Sequence, residues 1–64
     1  SPLYELKSKL REIGVTMDEF LDWACPLGHV SGDVATPEEA RGLLKNWETT
    51  AKILKARKER QEEI

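Results

Sequence analysis

The sequence predicts an all-α fold, a small three-helix domain made of a helical hairpin plus a long third helix extending past the core. Three observations point there. Apolar residues recur at spacings of three and four, no stretch alternates apolar and polar residues as a half-buried strand would, and two Thr-initiated capping signatures each precede an apolar stripe. Sixty-four residues make one domain at most, because a chain this short buries only about 60% of the surface its unfolded form exposes.

The first helix is expected over residues 3–13. Leu3, Leu6, Leu10 and Ile13 form one stripe, Ser1 stands as N-cap before Pro2 at the first helical position, and Gly14 ends the helix as a C-terminal glycine. The second helix, over residues 17–25, has the strongest local signal. In "VTMDEF", Thr16 is the N-cap, Glu19 closes a capping box, and Val15 with Phe20 forms the hydrophobic staple. Its apolar face is Met17, Phe20, Leu21 and Ala24. Pro26 is expected to stop it near Ala24 or Cys25, since the residue before a proline avoids helical dihedrals.

"PLGHVSGDVA" reads as a loop anchored by Leu27, Val30 and Val34. "TPEEA" then starts the third helix, with Thr36 as N-cap, Pro37 at the first position and Glu38 and Glu39 in the first turn. The stripe Ala40, Leu43, Leu44, Trp47, Ala51 and Leu54 carries this helix over residues 37–60, with Thr49 and Thr50 as its weak point. Past Leu54 the stripe meets Lys58 and Gln61, so the helix should protrude as an exposed basic arm from residue 52. The expected core is Leu6, Leu10, Ile13, Phe20, Leu21, Ala24, Leu43, Leu44, Trp47 and Leu54.

Charge is segregated along the chain. Glu12, Asp18, Glu19, Asp22, Asp33, Glu38, Glu39 and Glu48 face only Arg41 and Lys45, whereas Lys52, Lys55, Arg57, Lys58 and Arg60 face only Glu59. Such asymmetry bears on partners rather than on the fold. The single cysteine permits no internal disulfide, which places the chain in a reducing, cytoplasmic (intracellular) compartment. No apolar run is long enough for a membrane span. A start at Ser-Pro without Met suggests a piece of a longer protein.

Cys25 and His29, four residues apart, invite a metal or catalytic reading. A structural zinc site needs four ligands at recognisable spacings, and two residues across a Pro-Leu-Gly turn fall short even with Asp22 and Asp33 added. A nucleophilic pair needs an orienting third group and an oxyanion site, for which a small helical domain has little room. The expectation is therefore no enzyme, no metal and no cofactor, with Cys25 packed as a small hydrophobe and His29 a loop residue.

Trp47 sits at the centre of its stripe and reads as core. Trp23 lies at the border between the core stripe and Asp18, Glu19 and Asp22, where amphipathic anchors of binding surfaces are found. The expected contact set is Trp23, Leu27, Val30, Asp18, Asp22 and Asp33, suited to a protein partner with a basic or amphipathic segment. A second reading gives Lys52, Lys55, Arg57, Lys58 and Arg60 to nucleic-acid phosphates, although no aromatic residue interleaves them for stacking on single strands. A third is a homo-oligomer formed through Ile53 and Ile64.

The stretch "LREIGVTMDEFLDWACPLGHVSGDVATPEEARGLLKNWE", Leu10 to Glu48, resembles the C-terminal helical appendages of phage and prophage single-strand annealing recombinases of the RecT, Erf and Redβ type. Thr16 and Glu19 match the cap of the second helix, Thr36, Pro37 and Glu39 the cap of the third, and Phe20, Leu43, Leu44 and Trp47 the core. The resemblance implies a protein of DNA recombination in which annealing belongs to a preceding domain, while the appendage docks an exonuclease or the host single-strand-binding protein. The long loop and the basic extension after Thr50 depart from that pattern.

Overall fold

A computed structural model describes residues 1–32 and 35–62. Among them the architecture is all-helical, with four helices: α1 (Pro2–Glu12), α2 (Met17–Leu27), α3 (Pro37–Lys45) and α4 (Trp47–Glu62). The expected third helix is thus two, and the joint is Asn46 rather than Thr49–Thr50. Asn46 leaves helical geometry at φ −116°, ψ 36°. Its N–H still donates to the Leu43 carbonyl (3.3 Å), and its own carbonyl accepts from Thr50 (3.1 Å). It therefore closes one helix and opens the next.

Each start follows its local chemistry. At α1 the Ser1 hydroxyl accepts from the Tyr4 N–H ahead of Pro2. At α2 and α3 reciprocal capping boxes form: Thr16 with Glu19, and Thr36 with Glu39, each hydroxyl accepting the N3 N–H at 3.2 Å and each carboxylate accepting the threonine N–H. Two of the ends are Schellman motifs. Gly14 (φ 74°) donates to the Arg11 carbonyl while Val15 donates to that of Leu10, and both Val15 and Leu10 are buried.

The second Schellman motif corrects the α2 boundary. Gly28 (φ 81°) donates to the Cys25 carbonyl at 3.1 Å and His29 to that of Ala24 at 3.0 Å. The helix therefore runs through Pro26 to Leu27. A proline so near the end removes one bond, to the Asp22 carbonyl, and the glycine cap closes the last turn regardless.

Phe20, Leu6, Leu10 and Leu54 are the largest fully buried side chains, joined by Val15, Ala24, Val30, Ala35, Ala40, Leu43 and Ala51. Ile13, Leu21 and Trp47, expected in the core, are half-buried against it, and Leu44 is half-buried too. The most extensive helix contact is between α1 and α3, and Ala40 on α3 is completely buried. Ser1, Pro2 and Glu5 share a cleft with Arg41, Leu44 and Lys45, so the start of α1 lies beside the end of α3.

The arm keeps Lys52, Lys55 and Arg60 exposed, as expected, but Lys58 is engaged by the α1–α2 turn. On α4 the buried or half-buried residues Trp47, Thr50, Ala51, Leu54 and Lys58 continue one face at spacings of three and four. Lys58 reaches the α1–α2 turn, donating to the Gly14 carbonyl and pairing with Glu19 at 3.5 Å. That carbonyl is open to a cation because α1 has already ended.

Candidate docking surface

The C-terminal end of α2 assembles the principal aromatic cluster among the described residues. The Trp23 and His29 rings stack with centroids 5.0 Å apart and planes inclined by 27°, and Trp23 meets Phe20 at 6.1 Å in a tilted pair. In the Schellman motif a contact commonly joins the residue after the glycine to the last turn of the helix. His29 stacked on Trp23 is that contact, which gives the histidine a structural role. Trp23 is consequently half-buried against the core.

Leu27, one turn after Trp23, is 59% exposed. Asp18 and Asp22 are also exposed, but on another face. At about 100° per residue, Leu27 is roughly 140° from Asp22 and roughly 180° from Asp18. The two acids instead line a shallow groove of about 660 Å³ with Leu21, Cys25 and Pro26. The spacing 18, 21, 22, 25 made that grouping readable, yet the expected contact set omits Leu21, Cys25 and Pro26.

Two other expected contacts stand differently. Val30 is 2% exposed and belongs to the core cluster. Asp33 lies outside the described residues, as does Val34. Cys25 is exposed rather than packed as a hydrophobe, its thiol donating to the Gly32 carbonyl at 3.4 Å. Among the described residues no three of His, Cys, Asp and Glu gather as metal ligands would.

On α4, Lys52, Lys55 and Arg60 are exposed, while Arg57 and Lys58 are half-buried. The engagement of Lys58 removes one of the five cations assigned to nucleic acid from the free surface. Ile53 is 43% exposed, and Ile64 lies outside the described residues. No described helix is long and apolar enough to cross a membrane.

Glu39 ties the loop to α3. Its carboxylate accepts the N–H of Thr36 at 2.8 Å and that of Ser31 at 2.9 Å. The Thr36 backbone bond, chiefly, and the Ser31 contact hold its pKa below the ordinary value of 4.5. Glu19 is lowered in the same direction, first by the Thr16 N–H and hydroxyl, then by Lys58. A carboxyl whose pKa is lower folded than unfolded stabilises the fold fully above its unfolded value, and that contribution disappears as pH falls through the folded value. The melting temperature should therefore drop between about pH 5 and pH 3. A Glu19→Gln, Glu39→Gln double variant keeps the capping geometry and should lose less over the same interval in circular-dichroism melts. An unchanged slope would remove these two carboxylates from the acid response.

Comparison of the chain with family models, with curated protein sequences and with solved structures gives no match. The functional reading accordingly rests on the surface itself.

Proposed function

We propose that this is a non-catalytic docking domain of a larger protein, one that receives a basic, amphipathic segment of a partner at the end of α2. The observation that carries the reading is Leu27, 59% exposed beside the Trp23–His29 stack. Trp is among the residues that binding anchors favour, and Leu27 one turn on extends its apolar edge; Asp18, Glu19 and Asp22, with no Lys or Arg on α2, make the helix as a whole acidic and so attract a cationic partner at long range rather than at this contact. The likeness to annealing-protein appendages agrees with a tethering role within DNA recombination.

Since Trp23 also packs on the core, its loss affects folding as well as binding. Leu27 is the cleaner probe. Panning a randomised 12-residue peptide library against the domain should enrich sequences that combine Lys or Arg with a large apolar residue. Leu27→Ser should weaken the enriched peptides by about tenfold, equivalent to about 1.4 kcal/mol, with an unchanged circular-dichroism spectrum. Enrichment indifferent to Leu27→Ser would place docking elsewhere. Titration with single-stranded and duplex DNA gives the competing outcome: binding that falls steeply with salt and disappears on reversal of Lys52, Lys55 and Arg60 would make the domain a nucleic-acid binder.

A further inference from the structure

We infer that the domain has a second docking site of opposite polarity, between α1 and the start of α2, which takes an acidic segment bearing a large apolar side chain. The inference stands whether or not Leu27 docks a partner. A groove of about 450 Å³ runs there, and its lining is mostly apolar. Leu10, Val15 and Met17 form the floor, and Lys7 and Arg11 form the rim.

The rim is what selects the occupant. Lys7 and Arg11 are four residues apart on α1 and both exposed. Like charges at this spacing repel and weaken a helix. No acid stands three or four residues from either of them: Leu3, Tyr4, Ser8, Leu10, Gly14 and Val15 fill those positions. Lys9, by contrast, has Glu5 and Glu12 at helical spacing. Among the described residues neither Lys7 nor Arg11 enters an ion pair; the pair present there joins Lys58 to Glu19.

The nearby acids of α2 do not neutralise the rim. The Glu19 carboxylate is folded back on Thr16 and Lys58, and Asp18 lines the separate groove beside Leu21 and Cys25. Two cations that have no ion pair among the described residues, beside an apolar floor, complement carboxylates flanking an apolar side chain. A bare phosphate chain would leave the floor uncovered, which favours an acidic peptide over nucleic acid.

The test uses the heptapeptide Asp-Glu-Asp-Leu-Phe-Glu-Asp and its control with Ser-Ser in place of Leu-Phe, titrated into 15N-labelled protein. The first peptide should shift the amides of residues 7–17 saturably, and the control should not. Lys7→Glu places an acid four residues before Arg11 and so relieves the repulsion in α1. That variant should melt no lower than wild type while losing at least tenfold in affinity, which separates loss of the site from loss of the fold. Leu27→Ser should bind the heptapeptide normally. Equal shifts from both peptides, shifts confined to α4, undiminished binding by Lys7→Glu, or displacement of the heptapeptide by an equimolar thymidine oligonucleotide would each overturn the proposal.

Discussion

Phe20→Ala should remove a third or more of the domain's stability. Phe20 is completely buried, and truncating such a phenylalanine costs about 3–5 kcal/mol in lost burial and residual cavity. A chain of this size has a total stability of only about 3–10 kcal/mol at roughly 0.05–0.15 kcal/mol per residue. The melting temperature should fall by about 12–40 °C, at roughly 4–8 °C per kcal/mol for a domain this small. Phe20→Leu should lose much less, because it keeps most of the volume. Circular-dichroism melts of the two variants decide the matter; a fall of less than about 4 °C for the alanine variant would remove Phe20 from the centre of the core.

Leu54→Ala is expected to cost about 2–5 kcal/mol, although it lies in a stretch that looks like a solvated arm. Leu54 is 2% exposed whereas its neighbour Ile53 is 43% exposed. Ile53→Ala should therefore fall within about 0.5 kcal/mol of wild type, as surface substitutions do. Urea unfolding of both variants separates a packed α4 from a free one. Equal and small effects would mean that α4 contributes nothing to the core at that level.

The helix starts were legible because their signals are local. Ser1-Pro2, Thr16 with Glu19, and Thr36-Pro37 with Glu39 each specify donors and acceptors within four residues, and the structure makes those bonds. Gly14 as a terminator is equally local. Pro26 misled because its steric rule competes with a glycine cap two residues later, and the cap prevails. The joint at Asn46 was hidden, since Leu43, Leu44, Trp47, Ala51 and Leu54 keep helical spacing across a single non-helical residue. What no window of sequence contains is the Lys58–Gly14 bond, which spans 44 residues. A lysine in a basic run carries no mark of the carbonyl it will meet.

The candidate surfaces were less legible than the fold. Leu27 was singled out and is exposed, but the acids expected around it lie on another side of the helix, and Val30 went to the core. The apolar members beyond the stripes, Val30 and Ala35, are buried in the core cluster. Loop residues have no period from which to read that. Lys7 and Arg11 could have been found from spacing alone, as a like-charged pair without an acid in reach.

Pro26 has a consequence for how Leu27 would meet the proposed partner. Without an amide hydrogen at position 26, the turn that carries Leu27 is closed mainly by the Gly28 and His29 bonds at its very end. Phe20, Leu6, Leu10 and Leu54, the largest buried side chains, all lie outside that turn. A local opening of that turn, which would re-aim Leu27, should cost only a part of the free energy that holds the domain together.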